Sequence, residues 1–353
     1  MAEVGRADSL PESIDALRAI IAGLCRRWQP ASHAAAMPED QQQPTMTSSF
    51  WFDEEVTPDL SMRMRLKTLT FDEQSDFQRV QVIETAEFGK TLVLDGKTQS
   101  AKVDEYVYHE CLVHPAMLLH GNPKRVYIGG GGELATAREC LKHTSVAEVV
   151  MVDLDGMVVD VCKKELPSWN AGSTEDPRLD LRIGDARSYL LEESSGTFDV
   201  VVLDISDPIE AGPAVHLYTQ EFYELVAKKL NPGGVLVTQS GPAGLINHTE
   251  CFGAIHQTLK MAFPCVVPYS VTIPSFGSDW GFNVATTLAT DAKAVRERKV
   301  EDLDAAIAAK VSGDLQHYDG QSHLCMFNLI KTVRDGIAAE TRVITEANPV
   351  FMY

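Results

Sequence analysis

The sequence predicts an α/β protein: a parallel sheet covered by helices on both faces, preceded by a small antiparallel β-subdomain. Two observations carry this. After residue 104, five apolar runs recur at regular intervals with helical stretches between them. Before it, from residue 47, the runs are shorter, partly alternating, and broken by Gly, Asp and Lys. A length of 353 residues leaves room for one full-sized core and an appendage.

Residues 1–46 read as a flexible N-terminal extension. Within it, "SLPESIDALRAIIAGLCRRW" (9–28) suits a short amphipathic helix, with Ser9 and Glu12 at capping-box spacing, and a linker follows. Acidic residues among the first fifteen argue against a transit peptide. In the β-subdomain, 47–104, the strands are "MRMRLKTLTF", "FQRVQVIET", "KTLVLDG" and "KTQSAKV", with "LDGKT" as a hairpin turn. In 105–353 they are "RVYIGG" (125–130), "AEVVMVDLD" (147–155), "LDLRIGDA" (179–186), "FDVVVLDIS" (198–206) and "GGVLVTQSG" (233–241). Helices are expected at 133–142 and 219–230. Ligands of such sheets lie beyond the carboxyl ends of the strands, so the strand tips locate the site.

Composition narrows the ligand. Thirty-one basic against 50 acidic residues give a net charge of −19. Nucleic acid, which needs clustered Lys and Arg, is disfavoured, and a small cationic ligand is suited. No apolar run reaches the ~18 residues of a membrane span. Seven cysteines stand singly at 25, 111, 140, 162, 251, 265 and 325, without a CxxC pair. Neither zinc nor a disulfide framework is indicated, and reduced thiols fit the cytoplasm. The sequon Asn247-His248-Thr249 is then a chance match. In "HECLVH" (109–114) the histidines are five apart, whereas a zinc helix needs four, so no metal is expected.

At the first tip, "GGGGELATARE" (129–139) lets backbone approach a ligand through Gly130 and Gly132. The dinucleotide fingerprint fails at Ala135, and Glu133 stands where a pyrophosphate would rest. The loop therefore reads as a nucleoside site without phosphates. The second tip offers Asp153 and Asp155, about 20 residues on, where an acid accepts from ribose hydroxyls or is merely solvated. The third ends in "GDAR", placing Asp185 for an adenine amino group. Together these indicate adenosine binding of the S-adenosylmethionine type. The fourth tip, "LDISDP", carries Asp204 and Asp207. With Glu133 they make a cluster suited to a polycation.

The stretches "FQRVQVIE", "LVLDGKTQ", "DEYVYHE", "GGGE", "GDAR" and "LDISDP", in this order and spacing, resemble the polyamine aminopropyltransferases, the spermidine synthase family, from about residue 50 onward. The resemblance implies a Rossmann-like, methyltransferase-type catalytic domain behind the β-subdomain. It also implies transfer of an aminopropyl group from decarboxylated S-adenosylmethionine, a co-substrate and not a resident cofactor, to an amine, releasing methylthioadenosine. "YHECLVHPA", "GGGEL" and "LKTVRDGIAAETRVITEANPVF" resemble the thermospermine branch, whose acceptor is spermidine. Bacterial triamine and agmatine enzymes share much of this, so agmatine, putrescine or a spermine product stay open. Leu134 departs from the glycine usual after the acid.

By resemblance, Asp204 is the proton acceptor, with Tyr108 beside the incoming amine, and Asp207 and Tyr269 bind the acceptor. Glu133 holds the donor's aminopropyl ammonium, while Gln78, His109, Gly130, Gly132, Asp153, Asp185 and Ala186 bind the donor. A homo-oligomer, dimer or tetramer, is also implied. Two readings of other classes stand beside this one. A methyltransferase on a similar sheet would bind intact S-adenosylmethionine, whose carboxylate Glu133 repels. A non-catalytic polyamine-binding protein would not need every acid of the site.

Overall fold

The computed structural model describes residues 50–210, 212 and 214–352, which form one compact unit. The helix and linker expected within 1–46 lie outside the described residues. Strands β1 (Trp51–Thr57), β2 (Leu60–Gln74), β3 (Arg79–Thr85), β4 (Gly89–Leu94) and β5 (Lys97–Ala101) make an antiparallel sheet in chain order. The β4–β5 turn is the expected one: Asp95 and Gly96 both take positive φ, 49° and 80°, the two-residue geometry that matches strand twist. β1 was not among the expected strands. It is an edge strand that buries Glu54 alone, so it lacks an apolar period to read.

The larger sheet contains all five expected strands: β6 (Arg125–Gly130), β7 (Glu148–Asp153), β8 (Leu179–Ile183), β9 (Phe198–Asp204) and β10 (Leu230–Pro242). It is mixed, however, not purely parallel. β11 (Cys265–Ile273) and β12 (Ser278–Thr286) form a hairpin that extends the sheet in the order β11-β12-β10-β9-β6-β7-β8. A short connection such as the turn Pro274–Gly277 can join only antiparallel neighbours. β11 is an edge strand, which is why it tolerates Pro268, the residue that hides it in the sequence.

Helices α1 (Glu105–His120), α2 (Ala135–Leu141), α3 (Gly156–Glu165), α4 (Ala186–Glu192), α5 (Gln220–Lys229) and α6 (Phe252–Ala262) run between the strands. Strand alternation assigns them to faces. Val126, Ile128, Val200 and Val202 pack on α1 and α2, whereas Tyr127, Val201 and Leu203 pack on α4, α5 and α6. Each such side chain contributes roughly 1.5–3 kcal/mol when fully buried. The antiparallel sheet lays Val80, Val82 and Leu92 on Val158, Val161 and Trp169, and so stands over α3, beside the strand tips. Register levels those tips: Gly130 pairs with Asp204, and Gly129 pairs with Val152, one residue before Asp153. Among the described residues no helix is long and apolar enough to cross a membrane.

Candidate active site

A cavity of about 130 Å³ lies over these tips. Glu133, Asp153, Asp185, Asp204 and Asp207, from four successive strand ends, all line it. So do Gln78, Tyr108, Gly130, Gly132 and Ala186. His109 and Tyr269 do not.

The glycine run leaves β6 with Gly130 at φ 83° and Gly131 at φ 79°. A Cβ on Gly130 would lie 2.1 Å from the Asp204 carbonyl oxygen, and one on Gly132 would lie 2.9 Å from Asp153 Oδ2. The loop is therefore bare because two acidic strand ends press against it. Leu134 also takes positive φ, 72°, while its side chain is wholly buried in the core. Burial of about 2 kcal/mol offsets a left-handed cost of roughly 1–2 kcal/mol.

Asp204 sits in the deepest part. It accepts from Tyr108 Oη at 2.7 Å and from Thr136 Oγ1 at 2.5 Å. Burial, reinforced by the charge of Glu133, pushes its carboxyl up to about 6 against the opposing pull of His109, Thr136 and Tyr108. Burial likewise lifts Asp153 to about 7, and Glu133, Asp155 and Asp204 add to the rise. Asp207 reaches about 7 through burial, although Gln239 and Lys97 oppose it. Three carboxyls are thus held near neutrality in one hollow, an arrangement that a cation relieves.

Behind Glu133 stands His109. Its Nε2 lies 2.9 Å from Glu133 Oε1, and its Nδ1 lies 2.6 Å from the Glu105 carbonyl and 3.0 Å from Glu105 Oε2. Burial alone would depress this imidazole, but hydrogen bonds to Glu105 and Glu133 win and raise it to about 10. Arg138 braces Glu105 from the far side at 2.9 Å. His109, expected among the donor-binding residues, is instead wholly buried beneath Glu133 with both ring nitrogens engaged. His109, Glu133 and Asp204 bring ligand-type atoms within 4.8 Å of one another. His109 spends both ring nitrogens on Glu105 and Glu133, and these contacts tie it into a buried ion cluster.

Tyr269 requires a correction. It is fully buried, stacks between Phe282 and Phe327, and donates its hydroxyl to the Cys111 carbonyl at 2.9 Å. Alternation along β11 turns it into the core and away from the cavity. The wall expected of it is supplied by Phe276 and Trp280, on the hairpin that the sequence did not reveal. Asp155 does not line the cavity. It caps α3 by accepting from Met157 N, and it also accepts from Ser75 Oγ at 2.6 Å and Gln78 Nε2 at 3.1 Å. Asp153 is the acid of that tip that faces the cavity. Asp185 lines the cavity and also caps α4 through Arg187 N and Ser188 N. Asn247 of the sequon is buried.

Three further residues belong to the site. Gln239 donates to Asp207 Oδ1 at 3.1 Å and accepts from Trp280 Nε1 at 3.1 Å, fixing the second aspartate. It stands at the tip of the fifth predicted strand, where the same tip rule would have found it. Thr136 carries no signal in the sequence, because helix packing alone points it at Asp204, whereas Glu105 stands four residues before His109 on one helix face, a spacing that could have found it.

Comparison with known proteins agrees with this geometry. The family profile described as "Spermine/spermidine synthase domain" matches residues 105–294, and "Spermidine synthase tetramerisation domain" matches residues 50–102. Thermospermine synthase ACAULIS5 of Arabidopsis thaliana is 39% identical over 325 residues, 92% of this chain and 94% of that one. A polyamine aminopropyltransferase of Aeropyrum pernix is 44% identical over 304 residues, covering 86% and 95%. A crystal structure of spermidine synthase in complex with the transition state analogue AdoDATO superposes with a TM-score of 0.75 at 28% identity, covering 86% of this chain and all of that one.

Proposed function

The chain belongs to the spermine/spermidine synthase family of polyamine aminopropyltransferases, and from that premise we propose that its acceptor is spermidine and its product thermospermine. The observation that carries the choice of a triamine is the continuation of the cleft beyond Asp207. A side cavity opens there, lined by the buried carboxylate Glu54, so that successive ammonium groups meet Asp204, Asp207 and Glu54. The 39% identity to the Arabidopsis thermospermine synthase supports the same reading. The Aeropyrum pernix relative's name specifies no acceptor, which keeps putrescine, agmatine and a spermine product as the alternatives to be tested.

In this reading the donor is decarboxylated S-adenosylmethionine. Its ribose hydroxyls meet Asp153, its adenine lies by Asp185 and Ala186, and its sulfonium lies over the glycine loop. Glu133, oriented by His109, takes the aminopropyl ammonium. The attacking nitrogen must first lose a proton, which for an amine of pKa ~10 costs on the order of 4 kcal/mol at pH 7. Asp204 accepts that proton, and its raised affinity narrows the gap. Nitrogen then bonds to the methylene carbon, the C–S bond breaks, and its electron pair leaves on sulfur as neutral methylthioadenosine. Tyr108 and Thr136 keep Asp204 aligned throughout.

The match to the tetramerisation domain supports assembly of several copies, and unpaired cysteines among the described residues support a cytoplasmic setting. The deciding experiment is chromatography of products from spermidine, putrescine and agmatine with the decarboxylated donor. Thermospermine from spermidine is expected. Spermine as the product, or preference for a diamine, overturns the assignment of acceptor. Release of no methylthioadenosine with any amine overturns the enzyme reading itself.

A further inference from the structure

A cleft built for polycations has one cation in its own wall. Among the described residues lining the three cavities that meet at Asp207, Lys97 is the one Lys or Arg. It opens β5 directly after the Asp95-Gly96 turn, is half-buried, and donates from Nζ to the Glu55 carbonyl at 2.5 Å. It lines both side cavities, of about 30 Å³ and about 20 Å³, and so stands where they part. Glu54, Glu55, Asp95 and Asp207 are the charged groups lining these branches with it. Glu54 is engaged by Thr98, whose backbone N–H donates to it at 3.0 Å. A strut to the Glu55 carbonyl needs only a neutral donor. Against the burial that raises the carboxyls of Asp207 and Glu54, the positive charge of Lys97 draws both down, so it stands within electrostatic reach of the ammonium groups those acids would bind.

We propose that Lys97 ends the acceptor site: its ammonium lines both branches that leave Asp207 and repels a fourth ammonium, so that a triamine is accepted and the tetraamine product is not extended again. The inference rests on the aminopropyltransferase reading. A second transfer would form another N–C bond, break another donor C–S bond and deliver another proton to Asp204. The chemistry is therefore unchanged, and only the fit of the longer cation forbids it. Repulsion at such a site discriminates by charge and length together.

The test compares kcat/KM for spermidine and for spermine, a tetraamine carrying the same number of amines as the proposed product thermospermine, in the wild type, Lys97→Gln, Lys97→Met and Lys97→Arg. Lys97→Gln keeps a donor for the Glu55 carbonyl, and so remains informative if the methionine variant folds poorly. Loss of the charge is expected to raise the spermine-to-spermidine ratio about fivefold or more, and to yield a pentaamine product, while Lys97→Arg keeps the block. KM for the donor stays unchanged. An equal ratio in the wild type and the neutral variants, or wild-type turnover of spermine as fast as spermidine, overturns the proposal. A wild type that releases no methylthioadenosine with any amine fails at the earlier step and is distinguishable from both.

Discussion

Pushed up to about 6, Asp204 is a far better base than a solvated carboxylate and is still ionised at pH 7. The same residue in water, with a pKa near ~4, would hold a proton too weakly to assist an amine. The sign of the pH dependence follows. In the proposed mechanism Asp204 must be ionised to accept a proton, and Asp153 and Asp207, both near 7, would bind cations and hydroxyls best as carboxylates. kcat/KM should therefore fall as pH drops through the interval from 7 to 6. Asp204→Asn is expected to retain fold and donor binding but lose about 100-fold or more in kcat, measured as methylthioadenosine release. Near-normal turnover in that variant would falsify the assignment of the base. Asp204 and Asp207 were legible from their position at a strand tip. The ion chain from Arg138 through Glu105 and His109 to Glu133 was not, because Arg138 and Glu133 meet the Glu105–His109 pair of α1 only by packing.

The element that matters most is the bare loop between β6 and α2. Its glycines differ from the turn glycine of the antiparallel sheet in what surrounds them. A Cβ added to Gly96, with φ 80°, would meet nothing within 4 Å, whereas one added to Gly130, with φ 83°, would meet the Asp204 carbonyl at 2.1 Å. Gly96→Ala should cost about 1 kcal/mol, the backbone penalty alone. Gly130→Ala must in addition part β6 from β9, and a loss above ~2 kcal/mol is expected, with donor binding impaired. Urea denaturation of the two variants checks this, and equal losses would show that the strand contact is softer than its geometry implies. Of the parallel strands, β6, β7, β9 and β10 were legible because buried on both faces they read as largely continuous apolar runs, and the edge strand β8 through the alternation of "LDLRI". The edge strands β1 and β11 were not, since β1 buries Glu54 alone and β11 is broken by Pro268.

For the whole molecule, the net charge of −19 would act at a distance on the proposed trivalent acceptor more than on the donor. Raising NaCl from about 0.02 M to about 0.3 M should increase KM for spermidine severalfold and KM for the donor less, because salt screens the long-range part of the attraction. Steady-state kinetics at both concentrations decide it. An acceptor KM indifferent to salt would confine the attraction to the direct contacts of Asp204, Asp207 and Glu54.

The sequence by itself determined the strand rhythm, the glycine loop and the acids at each tip, because these depend on local periodicity and on residues adjacent in the chain. It also determined the family, through motifs in a fixed order. Only the tertiary structure decided that Asp153 and not Asp155 faces the cavity, that His109 supports Glu133 from beneath, and that Tyr269 lies in the core. It alone brought Lys97 from the antiparallel sheet to Asp207. Direction and burial are set by packing between segments far apart in the chain, and no local pattern records them.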